Sequence, residues 1–274
     1  MIINGLGFVS APLYLFEKFF IGKATEHLLG KGIQPEHLND DRLGRVLDKL
    51  YSKGLTEVFV TVALSAARKF GVKMDSLHLD SSSFHVDGEY AVSSEGEEAG
   101  AIQITYGYSR DHRPDLKQFI LDLMCSGDGD IPLYLRVADG NESDSAIFAK
   151  LIADFKQQWL LDTLFVADAA LYTEENLQQM KQLRWVSRVP ATVTAAKQLL
   201  DNIHQDSLVI CSSPGYRIAP FCNSYGGIQQ RLLVVESQAR KASDLKQLEK
   251  RLTKQLVKAQ AELKQLCQQH FLCL

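Results

Sequence analysis

The sequence lacks the patterns that mark several function classes. Its five cysteines (Cys125, Cys211, Cys222, Cys267, Cys273) include no Cys-x-x-Cys pair, and their number is odd. Neither a disulfide framework nor a thiolate zinc site is expected, and the usage fits a reducing cytoplasm. Long apolar runs are missing too. The opening, MIINGLGFVSAPLYLFEKFF, lacks a basic leader and carries Glu17 and Lys18, so neither a signal peptide nor a membrane span is expected. There is no glycine-rich phosphate loop and no convincing serine–histidine–aspartate order. Nor does the whole chain carry a large charge of one sign: 274 residues have a formal net charge of -3, and the total points to no polyanion.

What is present is unevenly spread. Between Gln238 and the end stand eight lysines or arginines against three acids, a local +5 that leaves -8 for residues 1–237. A basic tail on an acidic body suits a polyanionic partner, though the solvated face of an exposed helix has the same composition.

Three segments are expected. Residues 1–72 read as a helical N-terminal module, with apolar residues at helical spacing (Leu13, Phe16, Phe20; Leu43, Val46, Leu47, Leu50). Asn39 offers an N-cap, and Gly71 a helix end after a helix over 56–70. Residues 73–190 change character. Strands are expected at 76–80 (continued at 84–86), 101–108, 116–125 and 131–138, with a loop at 93–100 and Asp139-Gly140-Asn141 as a turn whose centre tolerates the left-handed region. A helix over 143–160, a strand at 164–167, a helix over 174–183 and a strand at 185–189 follow. Antiparallel strands followed by strands alternating with helices imply an α/β fold with a mixed sheet covered by helices. In residues 191–274 a helix near 195–200 and β-like runs at 207–211 and 230–236 lead to a long helix over 242–269. Its apolar stripe (Leu245, Leu248, Leu252, Leu256, Leu263, Leu266) lacks a returning element, which makes exposure or self-association an expectation.

Two carboxylates stand out. Asp80 ends the apolar run Leu77-His78-Leu79, and Asp168 ends Leu164-Phe165-Val166-Ala167. A lone aspartate there is commonly a turn residue. Two such acids invite a joint reading, because adjacent parallel strands would bring both to one sheet edge. Side by side they repel unless a divalent cation neutralises them. Carboxylates select hard cations such as Mg²⁺, held by one or two protein acids plus substrate phosphate. His78, two residues before Asp80, together with His85 would offer a zinc or manganese set as a lesser alternative. Arg110, His112, Arg113 and Lys117 form a charged loop able to position DNA phosphates.

The blocks LDSSSFHVDGEY (79–90), GYSRDHRPDLKQ (107–118), VADGNESD (137–144) and VADAALYTEENL (166–177), in this order, resemble the core blocks of bacterial insertion-sequence DDE transposases. The resemblance spans roughly residues 76–240. It implies a ribonuclease H-like core, with residues 191–274 as an insertion segment that ends in the long helix. It also implies catalytic, metal-holding roles for Asp80 and Asp168, and two Mg²⁺ (or Mn²⁺) ions in a complete enzyme. Its implied partner is double-stranded DNA, both element terminal repeats and target, in a bacterial, nucleoid-associated setting. The family's third acid, a glutamate in a Tyr-Arg-Glu-Lys type signature, has no counterpart here: Glu174, Glu175 and Glu236 lack its context. The expectation is a truncated copy, inactive alone. A metal-dependent nuclease or phosphohydrolase on the same fold, or a non-catalytic DNA-binding or inhibitory product, are the alternatives.

Overall fold

A computed structural model of the chain describes residues 13–90, 101–109, 112–159 and 162–268. The chain divides into two compact units: residues 1–171 with 182–187, and residues 172–181 with 188–274.

In the first unit, helices α1 (Phe16–Phe20), α2 (Thr25–Leu29), α3 (Asp40–Lys53) and α4 (Leu55–Phe70) precede the sheet. Phe16, Phe20, Leu38 and Leu43 make a small core of their own, with Leu13, Phe19, Leu29 and Ile33 packed around it. The Asn39 side chain accepts the Arg42 amide at 3.1 Å, capping α3. Gly71 ends α4 at φ 68°, a left-handed position that glycine takes without a Cβ penalty.

The sheet has the order β3-β2-β1-β4-β5: β1 (Ser76–Val86), β2 (Lys117–Ser126), β3 (Pro132–Ala138), β4 (Leu164–Ala167) and β5 (Arg184–Ser187). The first three strands pair antiparallel, while β4 and β5 join β1 in parallel. This is the mixed ribonuclease H-like arrangement. Helix α4 packs along β3. Helix α5 (Asp144–Trp159) buries Phe148, Ile152 and Phe155 at helical spacing, and Phe155 meets Tyr134 of β3 edge-on.

Two expectations give way here. Ser81-Ser82-Ser83 does not end the first strand, because the β2 ladder holds β1 in register from Leu77↔Ser126 to Val86↔Lys117. Residues 101–108 form no strand. Thr105 makes one isolated bridge with Gln118, in the place beside β2 that β3 leaves after Ala138. Earlier in the segment the loop supplies the partners: the Gln103 amide donates to Asp139 Oδ1 at 2.8 Å, and the Gly140 amide to the Gln103 carbonyl at 3.0 Å. The expected loop at 93–100 lies outside the described residues.

The second unit holds α6 (Glu174–Gln179), α7 (Thr194–Asn202), a sheet of order β6-β7-β8 and α8 (Gln238–Cys267). Helix α6 is shorter than its apolar spacing implied. The strand β7 (Tyr216–Tyr225) was not expected, since Pro220 cannot donate to a ladder. It is tolerated because β6 (Val209–Ile210) reaches only Arg217 and Ile218, leaving that edge open at Pro220, while β8 (Ile228–Ser237) pairs with the other edge. Tyr172 and Tyr225 stack at 5.3 Å, and the Tyr172 hydroxyl donates to Gln230 at 2.6 Å. No described helix is long and apolar enough to cross a membrane.

Candidate active site

The chain leaves β1 toward β2 and enters β5 on the far side of β4, so the sheet order reverses between β1 and β4. In open α/β sheets a crevice forms at the carboxyl ends of strands at such a switch point. The last residues paired between these strands are Leu79 and Ala167. Asp80 and Asp168 are the next positions on each. Leu79 and Ala167 are buried, and the following carboxylates are exposed, so the pleat that hides one residue brings out the next.

Local hydrogen bonds fix both. Asp80 Oδ1 accepts the Ser81 amide at 2.9 Å, and Asp168 Oδ1 accepts the Ala170 amide at 2.8 Å. The Ser187 hydroxyl of β5 donates to the Asp168 carbonyl at 2.6 Å, holding the turn that follows β4. Asp168 is thus a turn aspartate, placed one residue past the last pair of β4 with β1. A polar cleft of about 270 Å³ lies alongside, lined by Ser81, Ser82, Ser83, Asn141, Glu142 and Ala170 among others.

The sequence reading missed what lies under this edge. Asp122 of β2 is 0% exposed and accepts two hydrogen bonds, from the Ser81 hydroxyl at 2.5 Å and from Arg136 of β3 at 2.8 Å. Arg136 also grips Glu142 through both oxygens, at 2.6 and 2.8 Å. Burial pushes the Asp122 carboxyl above the usual carboxylate range, against the pull of Ser81 and Arg136. The two carboxylates in turn hold the Arg136 guanidinium well above its ordinary value. A signal existed: one aspartate inside the apolar run FILDLMC must find a partner, and the run YLRVA carries one arginine.

The charged loop is less available than its sequence implied. Arg113 forms a two-point pair with Asp115 at 2.9 and 2.8 Å. Lys117 donates to the Glu89 and Tyr90 carbonyls and sits 6.0 Å from the Tyr106 ring centre. His112 is exposed at φ 58°, and Arg110 lies outside the described residues. The alternative histidine set does not gather. By strand alternation His78 shares a face with Asp80, but His85 takes the other face and bonds Ser109 at 3.1 Å. Among the described residues no three His, Cys, Asp or Glu side chains group as a metal site. Glu236, one of the weighed glutamates, pairs with Arg217 at 2.7 Å, which holds its carboxyl below the usual range.

Residues 73–266 match the family described as the transposase DDE domain. The chain belongs to the DDE transposases. Its residues 1–64 also match a domain of unknown function, DUF4277. No curated protein matches the chain. Among solved structures, it is similar to a piggyBac transposase synaptic complex with hairpin DNA, at 10% identity and TM-score 0.36, over 62% of this chain and 37% of that one. It is also similar to a Mos1 transposase paired-end complex with the left transposon end, at 13% identity and TM-score 0.27, over 71% and 59%. A third likeness is to the Mos1 mariner paired-end complex with Mn, at 12% identity and TM-score 0.27, over 49% and 41%. The chain therefore spans between 37% and 59% of the length of these chains.

Proposed function

We propose that this DDE transposase chain supplies two carboxylates, Asp80 and Asp168, of a metal-assisted site that cuts and joins DNA at element ends. The observation that carries the reading is the register: Leu79↔Ala167 is the last pair between parallel β1 and β4, and the two acids are the next position on each strand. Two exposed oxygen donors suit a hard divalent cation, which takes one or two protein carboxylates and completes its shell with water and phosphate. When bound, Mg²⁺ or Mn²⁺ supplies Lewis-acid activation of the attacking oxygen and offsets charge on the leaving one.

The protein's own part is positional. Ser81 and Ala170 amides fix one oxygen of each carboxylate, and the Ser187 hydroxyl fixes the turn beneath Asp168. In strand cleavage a water oxygen attacks a phosphodiester and the 3′-oxygen leaves; in joining, that 3′-hydroxyl attacks a target phosphodiester. On this reading two protein acids hold the ion. A phosphoryl-transfer clamp commonly uses further oxygen ligands, so this chain alone holds the ion weakly and does not complete strand transfer.

The test is end cleavage with Mg²⁺ or Mn²⁺ on duplexes carrying the element's terminal repeats. The expected result is binding without cleavage by the purified chain. Cleavage by this chain that Asp80→Ala abolishes would overturn the claim of incompleteness and keep the site. Cleavage untouched by Asp80→Ala or Asp168→Ala would overturn the site itself.

A further inference from the structure

Helix α8 separates two surfaces. Its leucines, Leu245, Leu248, Leu252, Leu256, Leu263 and Leu266, lie along one side and are each at least 50% exposed. On the side turned away from them runs Lys246, Lys250, Lys254, Lys258, a row at strict four-residue spacing. All four are exposed. Lys246, Lys250 and Lys254 make no ion pair among the described residues, and Lys258 has only a surface contact with Glu262 at 3.7 Å. Such exposed pairs are worth a few tenths of a kcal/mol on a helix and yield readily. Glu249 is the one acid between Lys246 and Lys258, against five basic residues.

The contrast with the rest of the chain is informative. The basic groups of the 112–117 loop and of β3 are already engaged: Arg113 by Asp115, Lys117 by two carbonyls, Arg136 by Asp122 and Glu142. On α8, by contrast, Lys246, Lys250 and Lys254 make no ion pair among the described residues. We infer that the Lys246–Lys250–Lys254–Lys258 row is a binding surface for the phosphate backbone of duplex DNA. The inference rests on the transposase reading and adds to it where the duplex is held.

The dimensions agree. Twelve residues of helix rise about 18 Å. Over that length one strand of a duplex presents roughly five phosphates at about 3.4 Å each along the axis. Four long, flexible ammonium side chains on one ridge can each find one. Backbone contact of this kind carries no sequence information, so the row would add affinity and position without choosing the site. A basic amphipathic helix also suits an anionic membrane surface. The charge complementarity with DNA, in a chain of this family, decides between the two.

The experiment uses the full chain and a labelled duplex in EDTA, so that no cleavage intervenes. Binding is measured against salt for the wild type and for the fourfold variant Lys246→Gln, Lys250→Gln, Lys254→Gln, Lys258→Gln, with circular dichroism confirming that the helix persists. Each lost phosphate contact reduces the slope of log K against log salt by about 0.9. The fourfold variant should therefore lose about 3 to 4 in slope and bind at least about tenfold more weakly at low salt. The four Lys→Arg replacements should restore both.

An unchanged slope in the glutamine variant, with wild-type binding intact, overturns this inference and leaves the transposase reading standing. No binding of DNA by the wild type would sink that reading as well. A third outcome also overturns the inference: the glutamine variant keeps its DNA affinity but loses wild-type binding to phosphatidylserine vesicles, which would make the row a membrane surface.

Discussion

Arg136 and Asp122 stand opposite one another on β3 and β2, and Arg136 Nη1 donates to the fully buried Asp122 carboxylate at 2.8 Å. The same guanidinium holds Glu142, which lines the polar cleft together with Ser81, Ser82 and Ser83. One cation thus serves a carboxylate under the sheet and another at its edge. Removing it leaves Asp122 charged, buried and with Ser81 as its remaining described partner. Arg136→Met is expected to cost about 3–5 kcal/mol, the range for breaking a buried pair from one side. Urea unfolding of the two proteins measures it. A loss below about 1 kcal/mol would mean that the Arg136 network contributes little.

Asp122 also predicts a pH dependence. Its folded carboxyl is raised above the unfolded value because burial penalises the charged form. Such a group contributes stability that is fully present below the unfolded pKa, about 3.9 for aspartate, and is lost as pH rises through the folded value. Asp122→Asn cannot ionise and lacks this loss. The stability of wild type relative to Asp122→Asn should therefore fall as pH rises from below about 4 toward neutrality. Thermal unfolding of both across that window checks it, and a difference that grows with pH contradicts the assignment.

Gly140 is required by space. A Cβ there would lie 2.0 Å from the Gln118 carbonyl oxygen and 2.6 Å from that of Thr105, both backbone atoms that cannot swing aside. Its neighbour Gly107 is equally confined, with the Gly140 carbonyl oxygen 1.9 Å from its own hypothetical Cβ. Gly140→Ala must push apart the Thr105–Gln118 bridge, an overpacking expected to cost about 1–3 kcal/mol or more. Calorimetry reads it. Gly129→Ala, at φ 75° with nothing within 4 Å of its Cβ, serves as a control for left-handed strain alone.

Much of this was legible in the residues. That Asp80 and Asp168 each follow a short apolar run, and so stand just past the last β1–β4 pair, needed no side-chain detail to be foreseen. The long helix was plain from its leucine spacing. Other features were hidden for physical reasons. The turn at Asp139-Gly140-Asn141 was legible as one whose centre tolerates positive φ, but Gly140 does not use that freedom; what requires a glycine there is crowding from Gln118, which is distant in sequence. Residues 101–108 alternate like a strand, but the loop at 139–140 takes their hydrogen bonds. Strand β7 was hidden by Pro220, whose tolerance depends on how far β6 extends. The Asp122–Arg136–Glu142 network was missed because burial and register, which make a lone charge consequential, are tertiary facts. Arg113 and Lys117 looked available for phosphate because sequence does not show that Asp115 and two carbonyls already hold them.

The most direct measurement is Mn²⁺ binding to the full chain, followed by electron paramagnetic resonance, for wild type, Asp80→Asn and Asp168→Asn. Two carboxylates sharing one ion predict a saturable site in the wild type that either single substitution weakens at least about tenfold, the scale of losing one charge-assisted ligand. Binding that persists unchanged in both variants, or that only one of them affects, would contradict a shared site where the pairing of β1 with β4 stops.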